Sequence, residues 1–171
     1  FLLTEVNRQA RGKPGLFEVQ GRASSTTPPF TLKAKADRMD IAPDGGALIY
    51  DYKTGNPPTP DQQSAFDKQL LLEAAMVERG AFEDVMSRRV EDAEYIGVGA
   101  SPKIVKAPLE TEPPEKVWAE LCELMSRWRN PERGYTARMA PERITHDGDY
   151  DHLSRRGEWD DTDPHSPEDL S

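Results

Sequence analysis

The stretch that decides the fold is residues 34–55, which read AKADRMDIAPDGGALIYDYKTG. An apolar run at 47–50 follows a segment, residues 30–37, in which apolar and polar side chains alternate. The Pro-Asp-Gly-Gly sequence at 43–46 between them is a strong turn signal. The stretch therefore predicts two antiparallel strands joined as a β-hairpin.

The hairpin predicts a cluster of charged side chains on one face. Asp51 and Lys53 lie two residues apart, and strand side chains alternate with period two, so both point the same way. A turn centred near residue 44 places Asp37 opposite Asp51 and Lys35 opposite Lys53. Two facing carboxylates about 5 Å apart destabilise a sheet unless positive charge lies between them. A divalent cation is the natural candidate.

Four segments carry a resemblance to a known family: ADRMD at 36–40, IYDYKTG at 49–55, KQLLLEAAM at 68–76 and GDYDHLSRRGEW at 148–159. They resemble the PD-(D/E)xK nuclease superfamily, specifically its RecB-like branch. Within that branch they are most similar to the nuclease domain at the C-terminal end of AddB, a subunit of the AddAB helicase-nuclease. The segments occur in the expected order and span most of the chain.

The resemblance implies a metal-dependent DNA nuclease, expected to act as an exonuclease in processing double-strand breaks for recombinational repair. Asp37 and Asp51 are then ligands of Mg²⁺ or Mn²⁺, together with the backbone carbonyl of Tyr52; both ions favour oxygen donors. Lys53 is expected to orient the attacking water or to stabilise the transition state electrostatically. The implied partners are DNA and an AddA-like helicase-nuclease subunit.

The resemblance also implies a role for Gln69, on the helix expected beside the hairpin: it would hold Lys53 or a DNA phosphate. Relatives of the RecB type commonly carry Gln-x-x-x-Tyr here, whereas this chain has Glu73 at the tyrosine position. They also carry a metal-binding histidine upstream of the first aspartate, but no histidine precedes Asp37. All the histidines fall near the end of the chain: His146, His152 and His165.

Two other interpretations remain open. The first is a nuclease-like scaffold, weak or inactive in catalysis, that grips DNA or a helicase partner. The second is a structural ion pair at a sheet edge in an unrelated α/β protein. Glu18 could add a carboxylate to the site, while Asp40 is expected on the opposite strand face in a structural role.

The charge is unevenly distributed along the chain. The formal net charge is −9, yet residues 8–38 hold seven basic residues against two acidic ones, and residues 157–171 hold six acidic residues and no Lys or Arg. A phosphate-binding face needs a local positive patch rather than a positive total. The N-terminal third could supply that patch.

The composition limits the broad class. A chain of 171 residues predicts one domain, which we place at residues 1–159. We expect residues 160–171 to form a flexible acidic tail. The opening residues suggest a piece of a larger, cytoplasmic protein. No run approaches the roughly 18 apolar residues that a membrane span needs. Cys122 is the only cysteine, which excludes an intramolecular disulfide.

The predicted fold is α/β, a mixed central sheet flanked by helices, like that of restriction endonucleases. Expected strands cover 17–23, 30–40, 47–53, 93–100 and 103–109. Expected helices run from a cap at Thr59 to before Gly80, over 82–89 and over 115–129. The first of these has a predicted buried stripe of Phe66, Leu70, Ala74 and Val77. Expected late anchors on the domain are Tyr150, Leu153 and Trp159.

Overall fold

A computed structural model describes residues 2–99, 102–132, 151–154 and 158. The chain divides into two compact units, Phe1–Ser126 and Arg127–Ser171, and the sheet lies in the first. The helices are α1 (Leu2–Arg11), α2 (Pro60–Ala65), α3 (Gln69–Glu78) and α4 (Pro114–Trp128), with a 3₁₀ turn at Asp151–Ser154. The strands are β1 (Lys13–Thr26), β2 (Pro29–Ile41), β3 (Ala47–Lys53), β4 (Val90–Gly97) and β5 (Lys103–Lys106).

The five strands form one mixed sheet in the order β1-β2-β3-β4-β5. All neighbouring pairs are antiparallel except β3 and β4, which are parallel. A parallel pair needs a crossover connection, and the segment carrying α2 and α3 provides it. The predicted mixed α/β fold is therefore confirmed.

The central hairpin has the predicted register where its strands pair. The β2–β3 ladder runs from Arg38 opposite Tyr50 to Ile41 opposite Ala47. Its turn includes Gly45 at a φ of 92°, which glycine adopts without steric cost. Neither of the two expected facing pairs, Asp37 with Asp51 and Lys35 with Lys53, is part of this ladder, because the ladder ends at Arg38.

The long hairpin of β1 and β2 is kinked just before that ladder. Ala36 and Met39 both lie in the main core, so the alternation of β2 breaks once between them. Glu18 on β1 has a φ of 56°, an unusual conformation for a residue with a side chain. Such irregularities re-aim side chains, and this one flanks Asp37.

Helix α3 packs its apolar side chains into the main core. Leu70, Ala74 and Val77 are completely buried, as predicted, but Phe66 is 67% exposed. Phe66 lies in the break between α2 and α3, so it does not share the helical phase of the stripe. The predicted start at Thr59 is confirmed, with both hydrogen bonds of the capping box formed.

Other boundaries differ from the prediction. Strand β1 begins at Lys13, before the expected residue 17. Residues 82–89 form no helix; Phe82 instead makes an antiparallel bridge to Gly21 and buries its ring.

The C-terminal expectations are only partly covered by the described residues. Leu153 is 71% exposed, so it is not the buried anchor that we expected. Tyr150, Trp159 and the proposed tail at 160–171 lie outside the described residues.

The sheet face beneath α1 is built from ion pairs. Arg38 donates to both carboxylate oxygens of the fully buried Asp40, at 2.8 and 2.6 Å, and pairs with Glu5 of α1. Arg11 binds Asp92 and Glu94 of β4. Asp40 thus has the structural role expected for it.

Candidate active site

The site is built around Asp51 and Lys53 at the end of β3. Asp51 is only 4% exposed, and its Oδ2 lies 2.9 Å from the Lys53 ammonium. The ammonium also lies over the Tyr95 ring, 5.3 Å from its centroid. These contacts hold the lysine at the strand end, with about a third of its side chain exposed to solvent.

Gln69 connects the charged side chains of the site. Its Oε1 accepts a hydrogen bond from Lys53 Nζ at 2.8 Å. Its Nε2 donates to Asp51 Oδ1 at 2.6 Å and to Glu73 Oε1 at 3.1 Å. As the first residue of α3, Gln69 lies beside the hairpin where the resemblance predicted it.

Asp37 reaches the same site from β2. Its Oδ2 accepts a hydrogen bond from the backbone amide of Tyr52 at 2.9 Å, and its side chain is half-buried. Tyr52 itself turns its hydroxyl to Arg38, 3.3 Å away. The kink in β2 and this amide contact together aim Asp37 at the end of β3.

Glu73 is the site residue whose role sequence reasoning left undecided. It is 3% exposed, and burial raises the pKa of its carboxyl to about 7. The nearby Asp51 and Asp37 carboxylates contribute to this rise in the pKa, while Gln69 and Lys53 oppose it. The signal in the sequence was its position four residues after Gln69, because residues at that spacing share a helix face.

The donor set suits a divalent cation. Asp37, Asp51 and Glu73 interact electrostatically, and Lys53 is the one cation among the groups that act on Glu73. Asp51 Oδ2 and Glu73 Oε2 are buried and receive no well-directed hydrogen bond from the described residues. In that same part of the chain, no three His, Cys, Asp or Glu side chains are arranged to hold a metal ion. Mg²⁺ commonly takes one or two carboxylates and completes its shell with waters and substrate phosphates.

Other candidates do not join the site. Glu18 is exposed and forms an ion pair with Lys35. The ammonium of Lys35 is therefore bound to Glu18 and does not face Lys53. His152 lies exposed in the 3₁₀ turn, and His146 and His165 fall outside the described residues.

Comparison with protein families gives one match, the PD-(D/E)XK nuclease superfamily, over residues 1–143. The chain belongs to this superfamily. Membership indicates nuclease activity and the binding of DNA, and PD-(D/E)XK nucleases typically use divalent metal ions. A search of curated proteins found no match. No helix among the described residues is long and apolar enough to cross a membrane.

Proposed function

We propose that this chain is a DNA nuclease domain that hydrolyses phosphodiester bonds with Asp37, Asp51, Lys53 and Gln69 as its site residues. The observation that carries the proposal is the bonded set of Asp51, Lys53 and Gln69 at the end of β3. The same groups are suited to hold and polarise a phosphate ester.

Each side chain has a distinct task in this proposal. Asp37, Asp51 and the carbonyl of Tyr52 hold Mg²⁺ or Mn²⁺, which when bound supplies an activated water and neutralises charge on the phosphate. Lys53 orients the water or stabilises the developing negative charge through its ammonium. Gln69 fixes Lys53 at its observed position.

The finer biological role rests on the sequence resemblance to AddB. We propose an exonuclease of the RecB-like branch that processes double-strand breaks in recombinational repair, with an AddA-like helicase-nuclease subunit as partner. A cytoplasmic location is part of this proposal.

The acidic donor set also supports a second candidate function. Asp37 and Asp51 are joined by no third His, Cys, Asp or Glu side chain in a metal-binding arrangement, as far as the described residues extend. A weakly binding site of this kind would suit a nuclease-like scaffold that grips DNA or a helicase subunit without cleaving.

Cleavage assays on Lys53→Ala test the proposal. End-labelled single-stranded and double-stranded DNA would be incubated with Mg²⁺ or Mn²⁺, with the chain alone and with an AddA-like subunit. We expect the substitution to lower the cleavage rate by a factor of about 10² to 10⁴, because the ammonium acts on charge that develops in the transition state.

Lys116→Ala is the matched control, since it removes an exposed lysine of α4 whose contacts among the described residues are Glu112, Glu120 and the Thr111 carbonyl, none of them a site residue. It should cleave at the wild-type rate. Thermal melting would verify that both variants fold. Equal cleavage by wild type and Lys53→Ala would contradict the proposed site, and no cleavage by any of the proteins would favour the scaffold.

A further inference from the structure

The hairpin of β1 and β2 extends beyond the rest of the sheet. We call residues 19–26 and 29–36 the arm, because β2 pairs with β3 only from Arg38 onward. One face of the arm packs on the main core through Val19, Ala23, Leu32 and Ala34. The alternating residues form an exposed outer face, comprising Arg22, Ser24, Thr31, Lys33 and Lys35.

Two positive charges lie directly opposite each other on this outer face. Arg22 and Lys33 are partners in the β1–β2 register. Side chains at such positions have Cβ atoms about 5 Å apart, and like charges there destabilise the strand pair. A bound anion would offset this repulsion.

Nothing in the described part of the chain neutralises the pair. Neither Arg22 nor Lys33 forms an ion pair or a side-chain hydrogen bond there. The nearest acid on β1, Glu18, is engaged by Lys35. The loop beside β1 carries Glu83, whose amide binds the Gln20 carbonyl but whose carboxylate does not pair with Arg22.

The pair lies on the same strand hairpin as Asp37, one of the candidate site residues. Lys33 is four residues before Asp37 on β2, or about 13 Å at 3.3 Å per residue. That length corresponds to about four nucleotide steps along one strand of B-DNA. The negative charge elsewhere in the chain does not prevent such a contact, because physiological salt screens exposed charges beyond about 8 Å.

We propose that Arg22 and Lys33, with Lys35 between them and the site, form a phosphate-binding surface for the DNA strand that flanks the cleaved bond. This inference rests on the proposed function, because it takes DNA as the substrate. It assigns the arm the task of positioning the strand, separately from the chemistry at Asp51 and Lys53.

Fluorescence anisotropy with labelled DNA tests the surface without requiring cleavage. Binding of 30-nucleotide single-stranded and duplex DNA would be measured in EDTA at several salt concentrations. For the double variant Arg22→Gln, Lys33→Gln we expect the binding constant for DNA to fall on the order of tenfold. The slope of its logarithm against the logarithm of the salt concentration should be smaller in magnitude by about 2. Its melting temperature should not fall, since the substitution removes a repulsion.

The double variant Arg89→Gln, Lys116→Gln is the control, because it removes the same charge from exposed positions that are not part of the arm. It should bind DNA within twofold of the wild type. Equal losses in both double variants would overturn the inference, because net charge alone would then explain binding. Unchanged binding by the arm variant would overturn it as well.

Two further measurements separate this surface from its alternatives. Hydrolysis of bis(p-nitrophenyl) phosphate with Mn²⁺ should be the same in wild type and the arm variant, because this ester is too small to reach the arm. If no protein hydrolyses it, the proposed function fails while the anisotropy result still stands. In a competition experiment, polyglutamate should displace labelled DNA less effectively than unlabelled DNA does. If it were equally effective, the arm would be a surface for an acidic polypeptide, and the inference would be overturned.

Discussion

Gln69 is the residue on which the geometry of the candidate site depends. Its amide oxygen can only accept and its nitrogen can only donate, so contact with one ammonium and two carboxylates fixes its orientation. Lys53 and Asp51 are thereby held by a residue of a different element. The carboxyl of Glu73 takes part in that arrangement, at the position where the sequence resemblance led us to expect a tyrosine.

Glu73 should make the stability of the fold depend on pH. Its pKa is about 7 in the folded chain and near 4.5 when exposed, so its ionisation opposes folding between those values. The wild type should therefore lose stability relative to Glu73→Gln as the pH rises from about 4.5 to 7, and level off above that. The full difference should be roughly 3 kcal/mol.

Urea denaturation of both proteins in EDTA between pH 5 and 8 measures this difference. EDTA is needed because a bound cation would offset the charge of Glu73. A difference that stays constant across the pH range would show that Glu73 is not held with a raised pKa.

Among the elements, the kinked hairpin is the one that shapes the site. Glu18 on β1 lies at the irregularity, and on β2 the alternation breaks beside Asp37. Along β2 the kink separates the arm, which presents Lys33 opposite Arg22, from the residues that pair with β3.

Replacing Glu18 should reveal the conformational cost of the kink. A left-handed conformation costs about 1 to 2 kcal/mol for a residue with a Cβ, and glycine avoids this cost while losing some chain entropy. We expect Glu18→Gly to be more stable than Glu18→Ala by about 0.5 to 1 kcal/mol. Both lack the exposed ion pair with Lys35, so their difference in denaturation midpoint measures the backbone alone. A less stable glycine variant would contradict this explanation.

The sequence was sufficient to predict the elements whose signals are local. The turn before β3, the register of the hairpin and the capping box at Thr59 all depend on neighbouring residues, and each is present. The exposure of Phe66 was missed because it depends on a break in the helix. The left-handed Glu18 has no sequence signature. The bonds of Gln69 to Asp51 and Glu73 depend on how α3 packs on the sheet, which residue spacing alone does not determine.

For the sheet as a whole, the two faces have different chemistry. One face holds buried pairs such as Arg38 with Asp40, in which each charge has a partner. On the other, Asp51 and Glu73 keep buried oxygens without a well-directed donor in the described part of the chain. Buried carboxylate oxygens that lack a directed hydrogen bond are costly, and Lys53 is the ammonium that pairs with Asp51 there, so the second face is the one suited to a further cation.

Metal titration tests the central claim most directly. Isothermal titration calorimetry with Mn²⁺ would compare the wild type with Asp37→Asn and Asp51→Asn, and with Glu18→Gln as a matched control whose carboxylate pairs with Lys35. We predict saturable binding by the wild type and the control, weakened by at least about tenfold or lost in the two aspartate variants. No saturable binding by the wild type, or undiminished binding by either aspartate variant, would contradict the account.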